Sequence, residues 1–277
     1  MEKRLLDVAV ISDLHLGTYA SRSIEALTYL KSIDPQILIL NGDIIDVWQF
    51  RKHYFPCSHM LLIKEIMNMM TNGTRVIYVT GNHDEMLRRY SDLYLGNFQL
   101  TDKLVIEIDN KLSWIFHGDV FDNTTKGAAK FWAKMGSHGY AVLLALNRTV
   151  NLFLKLIGHE RVSLSKKIMA QVNKAIIKIN DFETKVAEVA IEKKYDFVIC
   201  GHIHQPQKRL ITTKDGSVIY LNSGDWVEHL TALEYYANDW HIYYYDEINT
   251  KAVSEKEVVL PTNVTTDEIA FYLYSLF

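Results

Sequence analysis

The sequence contains little cysteine, little proline and no long uncharged apolar run. Its two cysteines, Cys57 and Cys200, are too few for the disulfide framework of a small secreted domain. Four prolines and a charged fraction of 23% argue against long disordered tracts. No apolar run approaches the roughly 20 residues that a membrane-spanning helix needs. These scarcities exclude the disulfide-stapled, disordered and helical-membrane classes.

The chain also lacks a strong charge of either sign. Its formal net charge is −3, so the chain as a whole has no bias toward nucleic acid, and we expect no nucleic-acid partner. The first residues, MEKRLLDVAVISD, reach a carboxylate too early for a secretory signal, and we therefore expect a cytoplasmic location. Apolar residues make up 48% of the 277 residues, which is enough for a sizeable core.

Strands and helices alternate in the first third of the chain. Short, nearly continuous apolar runs at 7–11, 37–40 and 75–79 are typical of strands that are buried on both faces. Helical patterns at 21–33 and 60–70 lie between these runs. This βαβαβ order predicts a layered α/β domain.

Further strand patterns follow. Runs at 103–108 and 111–116 flank Asp109-Asn110 and predict a hairpin. Later runs predict strands that extend the first sheet or add a second one, and they lie at 197–200, 209–212, 217–221, 231–236 and 240–245.

The segment 123–194 interrupts this rhythm with helical periodicity and many lysine and arginine residues. We interpret it as a helical insertion that caps a core formed by 1–122 and 195–277. The alternative is an ordinary helical layer with a solvated basic face.

Polar residues stand directly after five of the expected strands. Because ligands of open α/β sheets bind at the carboxyl ends of the strands, these residues should meet at one rim. They are Asp13-Leu14-His15, Asn41-Gly42-Asp43 followed by Asp46, Gly81-Asn82-His83-Asp84, His117-Gly118-Asp119 and Gly201-His202-Ile203-His204. Each piece alone fits a solvated turn, but the recurrence after five strands predicts a shared site.

The residue types indicate metal chemistry. Imidazole and oxygen ligands without a thiolate suit Mn²⁺, Fe²⁺ or Zn²⁺ better than an oxygen-only Mg²⁺ or Ca²⁺ cage. Seven candidate ligands exceed the need of one ion and fit two ions that share a carboxylate. Two ions about 3.5–4 Å apart can clamp a phosphoryl oxygen during an in-line displacement. We expect two divalent ions, with Mn²⁺ as the first choice and Fe²⁺ or Zn²⁺ as alternatives.

In order and spacing these motifs resemble the signature of the calcineurin-like metallophosphoesterases, over roughly residues 7–230. The resemblance implies a four-layer α/β/β/α sandwich and a dinuclear metal-dependent hydrolase of phosphoesters or pyrophosphates. It also implies two ligand sets that share Asp43 as the bridge: Asp13, His15, Asp43 and His204 for one ion, and Asp43, Asn82, His117 and His202 for the other.

The same resemblance gives His83 and Asp46 a separate role. It implies that His83 lies near the scissile phosphate, with Asp46 as its carboxylate partner, and that Asn82 and His83 contact the substrate. A carboxylate on one ring nitrogen fixes the imidazole tautomer and raises the pKa, so His83 can protonate the leaving oxygen.

Within the family the chain is similar to the UDP-2,3-diacylglucosamine hydrolase branch. The similarity lies in GDIIDVW at 42–48, HGD at 117–119, CGHIHQP at 200–206 and GDW at 224–226. It implies hydrolysis of the pyrophosphate bond of an acylated sugar nucleotide with release of UMP, an insertion that acts as a lid, and a peripheral contact with the inner face of the membrane. Arg161 and Lys167 in the insertion are our candidates for phosphate contacts.

Two departures from that branch keep alternatives open. His83 stands where the hydrolase motif has an arginine, and Asn222-Ser223 precedes the GDW motif, as in broader relatives. The first alternative is a phosphodiesterase or phosphomonoesterase that acts on a soluble nucleotide or another small phosphate, and a second is a non-catalytic scaffold. The apolar pattern of 267–277 would dock on its own domain, a dimer partner or a membrane surface.

Overall fold

The computed structural model describes residues 3–49, 54–121 and 181–246. The chain divides into two compact units, Met1–Gly118 with Ala190–Phe277, and Asp119–Val189. Most of the predicted insertion, with Arg161 and Lys167, and the apolar pattern of 267–277 lie outside the described residues. The cap therefore stays a prediction.

The described residues contain twelve strands and three α-helices, with two short 3₁₀ helices at Glu85–Tyr90 and Asp119–Phe121. The α-helices are α1 (Ser23–Lys31), α2 (Cys57–Thr71) and α3 (residues 181–192). The strands are β1 (Arg4–Ile11), β2 (Ile33–Asn41), β3 (Arg75–Val79), β4 (Leu93–Leu95), β5 (Phe98–Thr101), β6 (Lys103–Ile108), β7 (Lys111–Phe116), β8 (Phe197–Cys200), β9 (Gln207–Thr213), β10 (Gly216–Asn222), β11 (Thr231–Tyr236) and β12 (Asp239–Tyr244).

These strands form two mixed sheets. The seven-stranded sheet has the order β12-β11-β1-β2-β3-β5-β4, and its centre from β1 to β5 is parallel. The five-stranded sheet has the order β6-β7-β8-β10-β9, with β7, β8 and β10 parallel. Parallel neighbours end at the same edge of a sheet, so residues that follow them share a rim.

Alternate residues of the central strands pack into two cores. Ala9 of β1 belongs to a buried cluster with Leu30 of α1 and Leu62 of α2. The next residue, Val10, belongs to a second buried cluster that includes Ile199 of β8. Because side chains of a strand alternate between its faces, one face of the seven-stranded sheet packs on helices and the other on the five-stranded sheet.

The fold class predicted from the sequence is confirmed, since the structure has two mixed sheets with helices in an α/β architecture. The hairpin of β6 and β7 and the βαβαβ order of the first third are present as expected. None of the described helices is long and apolar enough to cross a membrane.

Several bounds of the secondary structure differ from the sequence prediction, and helix α2, for example, begins at Cys57 rather than at residue 60. Helix α1 ends at Lys31 rather than at residue 33, and Ile33 already pairs with Arg4 in the first sheet. Pro35 disfavours a helical conformation for the residue before it, which favours the extended chain. The short strands β4 and β5 were not predicted; β4 is fully exposed, so it has no apolar alternation to reveal it.

Candidate metal centre

The structure brings the seven predicted ligands together at one rim between the sheets. Asp13, His15, Asp43 and Asn82 follow strands of the seven-stranded sheet, whereas His117, His202 and His204 follow β7 and β8 of the five-stranded sheet. Backbone hydrogen bonds join the loops, with Asp13 N donating to Gly42 O at 3.0 Å and Gly201 N donating to His117 O at 2.9 Å. The site is thus built from the ends of both sheets.

Asp13, His15 and His204 form the first cluster of candidate ligand atoms, all within 4.8 Å of one another. Asp13 Oδ1 lies 3.0 Å from His204 Nε2 and 3.9 Å from His15 Nε2. The second carboxylate oxygen of Asp13 accepts a hydrogen bond from His202 N at 3.2 Å, which holds the carboxylate in place.

Asp43, His117 and His202 form the second cluster, within the same limit of 4.8 Å. His117 Nδ1 lies 2.9 Å from the Asn41 carbonyl oxygen, which can only accept, so Nδ1 is the donor. His117 Nε2 then faces Asp43 Oδ2 at 3.1 Å. Asp43 also belongs to a third group with His15 and His83, so it lies centrally between the two clusters.

Asn82 and its neighbour His83 approach Asp43 from β3. The His83 backbone N donates to Asp43 Oδ1 at 2.8 Å. The Asn82 side chain is 7% exposed and its Oδ1 makes no hydrogen bond with any residue that the structure describes. A buried amide oxygen without a partner is costly, which makes Asn82 a suitable ligand.

Asp46 is shared by two histidines. Its Oδ2 lies 2.9 Å from His83 Nδ1 and 3.0 Å from His15 Nδ1, and its Oδ1 accepts from Gln49 N at 2.8 Å. The sequence paired Asp46 with His83 and did not anticipate the contact with His15. Asp46 therefore orients a candidate metal ligand and a candidate proton donor together.

The backbone at the site is held in an uncommon conformation. Non-glycine residues rarely adopt a positive φ, which costs roughly 1–2 kcal/mol each and concentrates at functional sites. Five of the seven predicted ligands do so: Asp13 (54°), His15 (47°), Asp43 (54°), His202 (61°) and His204 (56°).

Glycines allow the loops to approach these ligands closely. A methyl group on Gly42 would overlap the His117 ring, and one on Gly81 would overlap the Asp43 carboxylate and backbone N. Gly42 also has a φ of +81°, which disfavours any side chain. The Gly-Asp and Gly-Asn motifs therefore need glycine at these positions, because a side chain there would collide with a candidate ligand.

The site keeps its carboxylates ionised. Burial raises the pKa of Asp43, but the nearby His117 and His15 outweigh burial and hold the pKa well below its usual range. Asp46 behaves likewise, because its contacts with His15 and His83 lower the pKa more than burial raises it. Ionised carboxylates are the form that binds a cation.

Unpartnered buried atoms fit bound cations. His15 Nε2 and Asn82 Oδ1 make no hydrogen bond with a described residue, and Asp13 Oδ1 lies 3.0 Å from the His204 imidazole. Their donor set combines imidazole nitrogen, carboxylate oxygen and amide oxygen, which divalent transition metals accept. The residues therefore fit a divalent metal centre.

Two residues near the centre had no role in the sequence interpretation. Asp225, in the GDW motif, is fully buried and lies 4.0 Å from His204 Nδ1. His59, on α2, accepts a hydrogen bond from Gly17 N at 3.1 Å, two residues after His15. The GDW motif could have pointed to Asp225, whereas no sequence signal marks His59.

Comparison with known proteins gives the family. The profile of the calcineurin-like phosphoesterases matches residues 6–206. The UDP-2,3-diacylglucosamine hydrolase of Aliivibrio fischeri (strain MJ11) is 24% identical over 236 residues, which cover 83% of this chain and 95% of the relative. The enzyme of the same name from Salmonella typhimurium is 22% identical over 78% of this chain and 89% of its own length.

Solved structures include a similar archaeal phosphodiesterase, with a TM-score of 0.40, 16% identity, and coverage of 86% of this chain and 98% of that one. The family profile covers most of the chain, including all seven candidate ligands. The chain belongs to the calcineurin-like phosphoesterase family and is a phosphoester hydrolase of a kind that uses divalent metals.

Proposed function

We propose that this phosphoesterase cleaves the pyrophosphate bond of UDP-2,3-diacylglucosamine or a related lipid-sugar nucleotide and releases UMP. The observation that carries the proposal is the likeness to UDP-2,3-diacylglucosamine hydrolases along most of both chains. The rim supports the same reaction class, because its two clusters have the donors that a two-ion phosphoester hydrolase needs.

The proposal assigns the ligands by cluster. Asp13, His15 and His204 would hold one ion and His117 and His202 the other, with Asp43 as the shared ligand. Asn82, whose buried Oδ1 has no described hydrogen-bond partner, would join the second set. Bound divalent ions, for which we propose Mn²⁺, lower the pKa of water and neutralise phosphoryl charge. Asn82 additionally contacts the phosphoryl group.

His83 handles the proton of the leaving group. Its side chain is 17% exposed, so the ring is partly accessible to solvent. Burial lowers the pKa of His83, but the Asp46 and Asp43 carboxylates more than offset burial, and the net pKa is raised. In its cationic form the imidazole donates a proton to the leaving phosphoryl oxygen as the P–O bond breaks.

We also propose roles for the insertion and for the membrane surface. Arg161 and Lys167 would contact the substrate phosphates, the insertion would shelter the acyl chains, and the protein would associate peripherally with the membrane. Arg161, Lys167 and most of the insertion lie outside the described residues.

The test is direct. The protein is incubated with UDP-2,3-diacylglucosamine and Mn²⁺, and UMP is quantified by chromatography, with Asn82→Ala and His202→Ala as matched site variants. We expect UMP release by the natural protein and loss of release in both variants. Absence of UMP while generic diesters are hydrolysed would overturn the lipid substrate.

A second candidate is a phosphodiesterase or phosphomonoesterase of a soluble nucleotide. It is favoured by His83, which replaces the arginine of the hydrolase motif. A panel of soluble pyrophosphates, diesters and monoesters separates the two candidates, because the lipid hydrolase should prefer the acylated substrate by kcat/KM.

A further inference from the structure

A second buried carboxylate, Asp225, lies close to two histidines at the candidate metal centre, His204 and His229. The buried Asp225 Oδ2 lies 2.7 Å from His229 Nδ1 and 4.0 Å from His204 Nδ1. One carboxylate oxygen therefore faces both a candidate metal ligand and a histidine outside the ligand set. Asp46 Oδ2 also faces two histidines, but it lies within hydrogen-bond distance of the candidate ligand, at 3.0 Å from His15 Nδ1 and 2.9 Å from His83 Nδ1.

Asp225 with His229 and Asp46 with His83 are also similar in solvent exposure. The Asp225 and Asp46 side chains are buried, at 0% and 1%, whereas His229 is 32% exposed and His83 is 17% exposed. The hydrogen bond from His229 Nδ1 to Asp225 Oδ2 leaves Nε2 as the ring nitrogen for another partner. Asp225 thus fixes the His229 imidazole while it also faces His204, a candidate ligand of the Asp13 cluster.

The turn at Asp225 does not need the imidazole. Asp225 Oδ1 already accepts from the backbone N atoms of Val227 and Glu228, at 2.8 Å and 2.5 Å, and from His229 N at 3.3 Å. These hydrogen bonds to backbone N atoms are enough to stabilise the turn. The additional bond from His229 Nδ1 to Oδ2 therefore orients the ring rather than the chain.

The loop that carries Asp225 is also fastened to the first ligand. Trp226 N donates to Asp13 O at 3.2 Å, and the hydroxyl groups of Ser12 and Ser223 lie 2.7 Å apart. Because the loop is fixed at both points, the His229 ring has a defined place relative to the Asp13 cluster. A fixed imidazole beside a metal cluster suits recognition of an anionic oxygen.

We propose that His229, oriented by Asp225, binds the phosphoryl group of the substrate that is not attacked. The inference rests on the proposed function in that it takes a two-phosphate substrate. In such a substrate the attacked phosphoryl group would lie between the ions and His83. The second phosphoryl group then needs its own hydrogen-bond donor, which His229 Nε2 supplies. A hydrogen bond to an ionised group contributes enough to change affinity by about tenfold or more.

The test measures binding without relying on turnover of a pyrophosphate. Hydrolysis of bis-p-nitrophenyl phosphate with Mn²⁺ in excess serves as the reporter, and UMP and methylene-bridged UDP serve as competitive inhibitors. For each protein the inhibition constant of UMP is divided by that of the bridged analogue. This ratio reports the second phosphate alone.

We expect His229→Gln to lower this ratio by about tenfold. Asp225→Asn should lower it similarly, because His229 loses its fixed orientation. His241→Gln, a histidine substitution on β12, is the matched control and should keep the ratio of the natural protein.

An unchanged ratio in His229→Gln would overturn the inference, whether or not Asp225→Asn folds. Equal weakening of UMP and of the bridged analogue would also overturn it, because His229 would then act on the whole site. Failure of the proposed function is a separate result, namely no UMP from UDP-2,3-diacylglucosamine with the natural protein.

Discussion

His83 Nδ1 lies 2.9 Å from Asp46 Oδ2. The same oxygen lies 3.0 Å from the Nδ1 of His15, so one carboxylate serves a candidate proton donor and a candidate ligand. A carboxylate behind a metal-bound histidine fixes the ring orientation and raises the basicity of the ligand. Changes at His83 and at Asp46 should therefore have different effects on catalysis and on metal binding.

Replacement of His83 should affect poor leaving groups most. A positioned general acid contributes about 10²–10⁴-fold, and less where the leaving group needs no proton. We expect His83→Gln to lower kcat by about 10²-fold or more for alkyl leaving groups, and much less for p-nitrophenolate. Steady-state kinetics over a series of diesters checks this. A uniform loss across the series would contradict the role of His83 as acid.

Replacement of Asp46 should weaken metal binding as well as catalysis. Loss of a carboxylate that orients a ligand histidine typically costs 10–100-fold in metal affinity. We expect Asp46→Asn to show such a loss of Mn²⁺ affinity in a chelator competition, since His15 loses its partner. His83→Gln is the matched control and should retain the affinity. The idea of a shared carboxylate fails if both variants bind Mn²⁺ as the natural protein does.

A methyl group at Gly42 should destabilise the centre. It would overlap the His117 ring and would sit on a backbone with a φ of +81°. Overpacking costs about 1–3 kcal/mol and the backbone strain about 1 kcal/mol more, so Gly42→Ala should lose about 2–4 kcal/mol.

Gly96→Ala is the control for Gly42→Ala, because Gly96 has a φ of +58° and open space around its Cα. It should lose about 1 kcal/mol from the backbone alone. Urea unfolding of both variants measures the free energies of unfolding. Similar losses in the two variants would mean that His117 moves aside without cost.

Protonation of His59 should destabilise the fold between pH 6.5 and pH 4. Burial lowers the pKa of His59 to about 4, from a usual value near 6.5. In that window the unfolded chain binds the proton and the folded chain does not, so stability falls as the pH falls. Below pH 4 both states are protonated and the effect is complete.

A comparison with His59→Gln isolates this group. At pH 8 the variant should be less stable by about 1 kcal/mol, because the bond from Gly17 N is weakened. Between pH 8 and pH 5 the variant should gain about 2 kcal/mol relative to the natural protein, since it escapes the cost of protonation. Urea titrations at both pH values measure this change. If the difference in free energy of unfolding between the two proteins does not vary with pH, protonation of His59 does not destabilise the fold.

The sequence by itself determined the α/β class and the residues that meet at the rim. Apolar runs with β-branched residues encode buried strands, and polar residues at their carboxyl ends must then share an edge. This rule gathers the motifs at one edge, and the family resemblance then gave the ligand sets. The structure decided that these ligands come from the strands of two sheets.

Only the tertiary structure decided which side chains share partners across distant parts of the chain. The contact of Asp46 with both His15 and His83, and the proximity of Asp225 to His204, depend on loop positions that no local pattern encodes. The same is true of His59, which reaches Gly17 from α2. A sequence pattern reports the face on which a residue lies, whereas hydrogen-bond partners depend on the packing of elements far apart in the chain.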